Sequence, residues 1–468
     1  MIRKLKKVGN ITPSKSENIG FSKISLGFEK LDRDVFDPEK AYDKVSEIGV
    51  KWARIQSGWA RTEKEKGVYD FEWIDKIVDN FLKRGIEPWV CLCYGNPLYN
   101  EEAAQVFGAV GCPPIFNDEQ KQGWENYVKA FVKHFKNRIH YYEVWNEPDG
   151  TWCWKHGPNA TELGIFTRDT GKLIKETDAN AKVIGGAVCL RDLAYLNDAF
   201  VTGMGEYLDF ISFHEYTNDE TRVFETVEAY EELAHYYNPN IKIIQGESGS
   251  QSKMGGHGAL CDAGWSEEIQ AKQLSRHMMA DLMADVHMSS YFSCMDMIEA
   301  LNGDVNDTAS YLDYGYFGVL GAEFDENGKS VGTYYKKPSY YTLQNICSIF
   351  SEDFEVCKMP LMLYDGYSGL IMDNNVARRE LITGGFKNKN GRVFAYWYPS
   401  NILTTSVETV TNAIFFTEYK KFRLVDVIDG SIYEFPKEMV EDKGNGVYQI
   451  NDMPVKDTPL LLVMGDFI

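Results

Sequence analysis

The sequence predicts an α/β protein with a closed (β/α)8 TIM barrel and an accessory β-sandwich domain. Two observations predict this fold. Short β-like runs alternate with helical patterns from about residue 23 to about residue 350, and later strand-like runs are separated by turn signals instead. A chain of 468 residues is long enough for a barrel of roughly 250 to 350 residues and one smaller domain.

Eight runs in the first region have the length and the apolar character of barrel strands. They are residues 23–28, 51–57, 87–94, 140–145, 182–187, 208–214, 241–246 and 289–295. Apolar residues recur at helical spacing between Phe71 and Gly85, and residues 121–136 and 267–286 repeat that spacing. Because each strand is followed by a helical segment and no G-x-G-x-x-G motif follows the first strand, a closed barrel is favoured over an open doubly wound sheet.

Helical periodicity largely vanishes after about residue 355. The runs that predict strands of a β-sandwich are 380–386, 392–398, 413–417, 422–426 and 460–464. We therefore expect the barrel at residues 23–350 and a C-terminal β-sandwich at residues 351–468, with an N-terminal segment, residues 1–22, that could complete the sandwich. A separate sugar-binding role of the sandwich stays open.

The chain is acidic, with 49 Lys and Arg against 69 Asp and Glu and a formal net charge of −20. Such a chain repels phosphate backbones and anionic lipid surfaces, so we expect no nucleic acid and no membrane as partner. The basic N-terminus does not run into the apolar stretch of a secretory signal, and no run of about 18 apolar residues occurs. The nine cysteines are an odd number without metal-type pairing, which is typical of reduced thiols in a cytoplasmic protein.

No metal and no other cofactor is expected. The 8 histidines include neither the His-x-His nor the His-Glu-x-x-His pattern that a metal-dependent barrel hydrolase would need. The sequence leaves open whether the chain forms a homo-oligomer.

The chemistry of a (β/α)8 barrel lies at the C-terminal ends of its strands. The fourth run ends in Trp145-Asn146-Glu147-Pro148, where a carboxyl group beside an amide and under aromatic cover suits a general acid/base. Regular strand alternation would place Glu143, Trp145 and Glu147 on one face, with Asn146 on the other.

The seventh run ends in Gly246-Glu247-Ser248, which delivers a second carboxyl group to the same end of the barrel. Since the fourth and seventh strands lie across the barrel from each other, Glu147 and Glu247 form a candidate catalytic pair for glycoside hydrolysis. A retaining enzyme needs its two carboxyl groups about 5 Å apart, and an inverting enzyme about 6.5 to 9.5 Å. The sequence gives no distance between them.

These motifs resemble those of clan A, the 4/7 superfamily of retaining (β/α)8-barrel glycoside hydrolases. Their acid/base follows an Asn at the end of strand four, and their nucleophile ends strand seven. Within the clan the chain resembles glycoside hydrolase family 39, the β-xylosidase and α-L-iduronidase family, which also pairs its barrel with a β-sandwich. The resemblance covers most of residues 23–350; Trp145-Asn146-Glu147-Pro148 is its most specific element and Gly246-Glu247 is less specific.

The resemblance implies a retaining, exo-acting glycosidase that hydrolyses β-glycosidic bonds of a glycoside or oligosaccharide by double displacement, with β-xylosides as first substrate. Alternatives are another clan A glycosidase (a β-glucosidase, β-galactosidase or α-L-arabinosidase), a transglycosylase, or a catalytically silent sugar-binding barrel. Glu147 would be the acid/base and Glu247 the nucleophile.

The resemblance extends to four further residues. Arg54 resembles the clan arginine that keeps the nucleophile ionised, and a buried Arg needs a carboxylate partner in any case. Asn146 resembles the amide that binds the sugar 2-hydroxyl, and His214 and Tyr216 match positions near the nucleophile.

One position departs from the clan pattern, because the eighth run has no Trp to lie under the sugar. Asp296 or Glu299 could bind sugar hydroxyls there instead. Further candidate sugar contacts follow other strands: they are Glu29, Trp59, Asn96, Trp152, Trp154 and Trp265.

Overall fold

A computed structural model describes residues 2–104, 108–299, 313–364, 381–403 and 408–468 of the protein. Within these ranges, eight parallel strands close into a barrel in chain order. They are β1 (Ile24–Gly27), β2 (Trp52–Gln56), β3 (Glu87–Leu92), β4 (Tyr141–Val144), β5 (Lys182–Val188), β6 (Phe210–His214), β7 (Lys242–Ser248) and β8 (Met288–Tyr291). Each overlaps one of the eight predicted runs, so the predicted (β/α)8 barrel is confirmed.

A helix follows each barrel strand in the described part of the chain. These helices are α1 (Tyr42–Ile48), α2 (Glu72–Lys83), α3 (Asp118–Phe135), α4 (Ala160–Thr177), α5 (Leu193–Val201), α6 (Arg222–Tyr237), α7 (Glu267–Met283) and α8 (Pro338–Ile349). Local sequence sets their ends. Asn117 and Ser266 accept a backbone N–H in the first turns of α3 and α7, and Gly85 supplies the left-handed conformation (φ 70°) just after α2.

An apolar layer fills the barrel interior below its polar mouth. Its members come from β3, β5, β6, β7 and β8: they are Trp89, Ile184, Phe210, Ile244 and Met288. The Trp89 ring carries the Arg54 guanidinium, whose carbon lies 5.4 Å from the ring centroid. The layer is therefore the floor on which the charged groups of the mouth rest.

The later strands, together with Lys6–Asn10 from the start of the chain, form two antiparallel sheets that share one apolar cluster. The seven-stranded sheet has the order Lys6–Asn10, Ser431–Glu434, Phe422–Asp426, Leu460–Gly465, Gly391–Trp397, Ile382–Lys387 and Glu355–Val356. The four-stranded sheet has the order Leu361–Tyr364, Glu408–Phe416, Val447–Lys456 and Val440–Gly444. Phe394 and Leu462 of the first sheet and Phe415 and Ile450 of the second belong to the same cluster, as two packed sheets require.

The sequence analysis missed several of these strands. Val447–Lys456 contains Asn451, Asp452 and Pro454, which are residues typical of turns, and the strand pairs with its neighbour across a bulge near Thr411. Residue 380, the start of one predicted strand, lies outside the described residues. The division of the chain at residues 22 and 350 stays a proposal.

Helix α7 lies between the barrel and the two sheets. Residues 270–283 are all buried, because one side of the helix faces the barrel and Met283 packs against Gly384 of the sheet. Its polar residues therefore need partners. Arg276 donates from Nε and Nη2 to the Glu220 carboxylate at 2.7 and 2.8 Å, and the Trp397 indole of the sheet donates to the same carboxylate at 2.8 Å.

All nine cysteines lie in described residues and are free thiols, as the sequence predicts, and most of them are buried. Among the described residues, no helix combines the length and the apolar character that a membrane crossing requires.

We predict that Arg276→Met lowers the free energy of unfolding by about 3–5 kcal/mol, because it leaves the buried Glu220 charge without its cation. Chemical denaturation measures the loss. The control is Lys76→Met, which removes an exposed ion pair to Glu72 and should change stability little. An equal loss in both variants would contradict the importance of the buried pair.

Candidate active site

The mouth of the barrel collects charged groups from five strands. Glu29 follows β1, Arg54 lies in β2, Glu143 in β4, His214 at the end of β6 and Glu247 in β7. Parallel strands end at the same rim, so residues far apart in sequence meet there.

Arg54 is fully buried and lies at the centre of this group. Its Nε and Nη2 donate to Oε2 of Glu143 at 2.8 and 2.6 Å, and Nη2 also donates to Oδ1 of Asn146 at 2.7 Å. Its Nη1 donates to Glu247 and lies 3.4 Å from Oε1 of Glu29. Burial opposes the charge of the guanidinium, but these acidic partners outweigh it and raise the Arg54 pKa well above its usual range.

The backbone leaves the strand conformation immediately after β4. Trp145 and Glu147 have φ of 67° and 42°, so the regular alternation predicted for residues 143–147 is wrong beyond Val144. The Trp145 ring packs among other aromatic rings, and its Nε1 donates to the Cys153 carbonyl at 2.9 Å. Asn146 and Glu147 consequently both reach the mouth of the barrel, although they are adjacent in sequence.

Glu147 is held by two groups from different parts of the barrel, His214 at the end of β6 and Trp152 in the loop after β4. Its Oε1 lies 3.0 Å from Nδ1 of His214, and its Oε2 accepts a hydrogen bond of 2.5 Å from the Trp152 indole. The Glu147 side chain is 15% exposed. It is fixed in orientation while remaining open to a ligand.

Glu247 lies in a more cationic environment, with its side chain 10% exposed. Besides the hydrogen bond from Arg54, its Oε2 accepts one from the Tyr216 hydroxyl at 2.8 Å and lies 3.7 Å from Nδ1 of His214. Burial alone would raise the Glu247 pKa, but His214, Arg54 and the Tyr216 hydrogen bond outweigh it and lower that pKa. Glu247 is therefore a carboxylate at neutral pH.

His214 lies between the two carboxyl groups. Burial would lower its pKa, but the charge of Glu247 and the hydrogen bond with Glu147 raise it overall. One oxygen of Glu147, one of Glu247 and a ring nitrogen of His214 all lie within 4.8 Å of one another. A cation among them would displace hydrogen bonds from Trp152 and Tyr216 and would lie beside the Arg54 guanidinium, so the arrangement suits proton transfer better than metal binding.

The spacing of the two carboxyl groups has a chemical meaning. A retaining glycosidase holds them about 5–5.5 Å apart, whereas an inverting enzyme needs about 6.5–9.5 Å to fit a water between them. One oxygen of Glu147 and one of Glu247 lie within 4.8 Å of each other, an approach that fits the shorter, retaining separation.

Comparison with known proteins also points to a glycoside hydrolase. The family model of Glycosyl hydrolases family 39 matches residues 6–349, most of the chain. The chain belongs to this family. The resemblance that its strand-four and strand-seven motifs carry is thereby confirmed.

Curated relatives of this family 39 chain match it over shorter segments. A β-xylosidase of Geobacillus stearothermophilus is 29% identical over 165 residues, which are 33% of this chain and 32% of the relative. A β-xylosidase of Caldicellulosiruptor saccharolyticus is 27% identical over 187 residues, 37% of this chain and 38% of the relative. The matching segment thus spans about a third of the length of these curated relatives.

Solved structures match the family 39 chain over almost its whole length. A family 39 glycoside hydrolase from Bacteroides cellulosilyticus has a TM-score of 0.63 at 17% identity, covering 96% of this chain and 82% of that one. A monomeric β-xylosidase from Caulobacter crescentus has a TM-score of 0.56 at 15% identity, covering 98% of each chain. At these identities the likeness shows the fold, a barrel with added β-sheets.

Several predicted sugar contacts of the family 39 chain lie in its core instead. Trp59 and Trp154 expose no surface, and their indoles donate to Glu63 and Glu162. Their interpretation as sugar contacts is therefore wrong, because a ligand cannot reach them. The two Trp rings pack between helices and strands of the barrel wall.

Asn96, Trp265 and Asp296 are also buried and already bonded. The Asn96 amide donates to a backbone carbonyl and accepts from a backbone N–H, and the Trp265 indole donates to the Leu260 carbonyl at 2.6 Å. Asp296 pairs with the buried Lys337 at 2.6 Å. The structure thus gives all three a role in holding loops, contrary to the predicted contacts with sugar.

Three residues near the site were missed by the sequence analysis. Glu143 is the principal partner of Arg54; the need of a buried Arg for a carboxylate signals that such a partner exists but does not single out Glu143. Phe292, just after β8, lies with its ring centroid 6.3 Å from that of Tyr216 and offers an aromatic face where a Trp was sought. Lys30 pairs with Glu299 at 2.7 Å, and nothing in the sequence distinguishes this Lys from an exposed one.

Glu29 differs from the other carboxyl groups at the mouth. Burial and then the charge of Glu247 raise its pKa to about 8, against the opposing effect of Arg54. Among the described residues, its Oε2 has no hydrogen-bond partner. Glu29 therefore carries a proton at neutral pH, and its predicted contact with sugar stays a prediction.

We predict that Glu29→Gln stabilises the ligand-free protein increasingly as pH rises from about 5 to about 8. An unfolded Glu ionises near pH 4.3, whereas the folded Glu29 keeps its proton up to about pH 8, so the wild type loses stability across this window and the Gln variant does not. The difference between the variants should grow by on the order of 3 kcal/mol. Thermal unfolding at several pH values measures it, and a difference independent of pH would contradict a protonated Glu29.

Proposed function

We propose that this chain is a retaining, exo-acting glycoside hydrolase that cleaves β-glycosidic bonds by double displacement and acts on β-xylosides. Glu147 is its general acid/base and Glu247 its nucleophile. The observation that carries the proposal is the approach of these two carboxyl groups to within 4.8 Å in unlike environments.

The first step forms a glycosyl ester. An Oε of Glu247 attacks the anomeric carbon, the bond from that carbon to the leaving-group oxygen breaks, and this oxygen takes the proton of Glu147. The lowered pKa supports Glu247 in this role, because a nucleophile must be ionised before it attacks.

The second step hydrolyses the ester. A water attacks the anomeric carbon and gives a proton to Glu147, while the ester bond breaks and Glu247 leaves as a carboxylate. Both carboxyl groups then return to their starting states. Arg54 and Tyr216 donate hydrogen bonds to Glu247 and stabilise the charge that returns there.

The residues that bind the substrate are proposed from their positions around the two carboxyl groups. The Oδ1 of Asn146 accepts from Arg54 and its Nδ2 donates one hydrogen to Cys153 Sγ at 3.6 Å, so the second hydrogen of Nδ2 is the one that would meet the sugar 2-hydroxyl. Trp152 offers partly exposed aromatic surface. The low exposure of Glu147 and Glu247 suits the end of a sugar chain better than its middle.

The chemistry of the whole chain supports a neutral glycoside as its partner. A net charge of −20 disfavours nucleic acids and anionic lipid surfaces, and the free thiols favour a cytoplasmic location, which we also propose. The curated β-xylosidases support xylose as the first sugar.

A panel of 4-nitrophenyl glycosides tests reaction and sugar together. We expect the highest kcat/KM for β-D-xylopyranoside. The α-L-arabinopyranoside differs from it only in configuration at C4, and the β-D-glucopyranoside adds only the C6 group, so both are matched controls. A preference for either would overturn the sugar, and no hydrolysis of any would overturn the enzymatic proposal.

We predict that Glu147→Ala slows hydrolysis of glycosides with poor leaving groups by about 10²–10⁴-fold, since general acid catalysis supplies that much. Activated 2,4-dinitrophenyl glycosides should be cleaved in the first step almost as before, and added azide should restore turnover. Glu162→Ala is the control, because Glu162 also accepts from a Trp indole but lies in α4. A uniform loss with all leaving groups, unaffected by azide, would remove Glu147 as acid/base.

We predict that a 2-deoxy-2-fluoro glycoside labels Glu247, because the fluorine slows hydrolysis of the glycosyl ester and an activated leaving group lets that ester accumulate. Peptide mapping by mass spectrometry locates the label, and Glu247→Gln should take up none. A label on Glu29 or Glu143 would show that another carboxyl group attacks.

A further inference from the structure

Glu29 is a fourth carboxyl group at the site, beside Glu147, Glu247 and Glu143, and the two-step reaction has no use for it. It is buried, and its Oε1 lies 3.4 Å from Nη1 of Arg54. The same Nη1 donates to Glu247. One nitrogen of a buried guanidinium is therefore within reach of both the nucleophile and a carboxyl group with an unbonded oxygen.

We propose that Glu29 is a positioning residue that releases its proton when Glu247 becomes a glycosyl ester, and pairs with Arg54 until that ester is hydrolysed. The inference rests on the proposed function, because it requires Glu247 to be the nucleophile.

The charge of Arg54 is the reason why Glu29 takes the place of Glu247 as its anionic partner. In the free enzyme its Nη1 is paired with an anionic Glu247. Ester formation removes that charge and leaves a desolvated guanidinium with one anionic partner fewer, which is costly inside a protein. Ionisation of Glu29, at 3.4 Å, restores the lost charge without any large movement.

The electrostatic contributions to Glu29 have the sign that this exchange needs. Burial raises its pKa most, the charge of Glu247 raises it further, and Arg54 lowers it. Esterification removes the contribution of Glu247 and leaves that of Arg54. The Glu29 pKa must then fall from about 8, so the group that is protonated in the free enzyme ionises in the intermediate.

The other groups facing Glu29 do not replace it in this role. Burial raises the pKa of Tyr216 and of Cys294, so both stay neutral. Lys30, the next residue, directs its ammonium to Glu299 at 2.7 Å, and Glu143 accepts from Nε and Nη2 of the guanidinium rather than from Nη1.

Protons and bonds balance over the cycle. When the Glu247 ester forms, the leaving-group oxygen takes the Glu147 proton and the Glu29 proton passes to water. When water cleaves the ester, Glu147 takes a proton from that water and Glu29 takes one back from solvent. The charge around Arg54 is then the same in the free enzyme and in the intermediate.

The experiment counts protons during trapping of the ester. Glu147→Gln removes the acid/base, and a 2,4-dinitrophenyl 2-deoxy-2-fluoro glycoside still reacts because its leaving group departs as an anion. A pH indicator in weak buffer at about pH 7 reports released protons, while absorbance and mass report the leaving group and the ester. We expect E147Q/E29Q to release about one proton fewer per ester than E147Q. His214, whose pKa also depends on Glu247, contributes to both variants alike.

Asp281 provides a matched control. It is a buried carboxyl group whose pKa burial also raises to about 8, but it bonds to Ser289 and not to Arg54. E147Q/D281N should therefore release as many protons as E147Q. Equal release from E147Q and E147Q/E29Q would overturn the inference, whereas failure to form an ester on Glu247 would overturn the proposed function.

Infrared difference spectroscopy keeps the test decisive if E147Q/E29Q does not fold. In E147Q alone, trapping should remove a protonated carboxylic acid band and add an ester band. An ester band without loss of the acid band would overturn the proposed exchange, since the amide that E147Q introduces has no carboxyl proton to contribute.

Discussion

The site depends on the interactions of the buried Arg54 guanidinium with the acidic groups around it. A charge withdrawn from water must be matched by acceptors, and Arg54 is matched by Glu143, Asn146, Glu247 and Glu29, which come from the ends of three barrel strands. Because Glu143 takes two donors and the Trp89 ring lies below, the guanidinium has a fixed orientation. That orientation distinguishes the two carboxyl groups proposed as catalytic, since Glu247 meets the cation and Glu147 meets His214 and a Trp indole.

The end of β4 gives the site its second constraint. Two left-handed residues, Trp145 and Glu147, allow Asn146 and Glu147 to serve the same cavity, which a regular strand forbids. The Trp145 ring is packed among aromatic neighbours, and this packing supports the unfavourable backbone. The local strain and the aromatic wall of the barrel are thus parts of one arrangement.

The barrel could be predicted from the sequence, and the proposed catalytic pair located in it, because short sequence patterns mark both. Apolar runs of strand length identify β1 to β8, and a carboxyl group at the end of a run identifies Glu147 and Glu247. Arg54 was predicted from its resemblance to the clan arginine, and the need of a barrel Arg for a carboxylate agrees with that prediction. Arg54 binds Glu143 most closely. This pairing depends on how the strands are placed around the closed barrel, which the periodicity of the sequence does not reveal.

The errors arose where the path of a loop decides exposure. Trp59 and Trp154 follow strands β2 and β4 as sugar-binding aromatics would, but their loops fold back and bury both rings. The positive φ at Trp145 has no signal in its residue type. In the sheets, the strand Val447–Lys456 was missed because Asn, Asp and Pro are accommodated by a bulge and by an irregular register.

Helix α7 has a consequence for how such a chain can change over evolution. Residues 270–283 have no solvent-facing side, because the barrel covers one side and the sheets cover the other. The helix follows β7, which carries Glu247. Replacing the C-terminal sheets alone would leave buried residues of α7 without their packing partners, so a substitute would need a compatible α7, the element that follows the strand of Glu247.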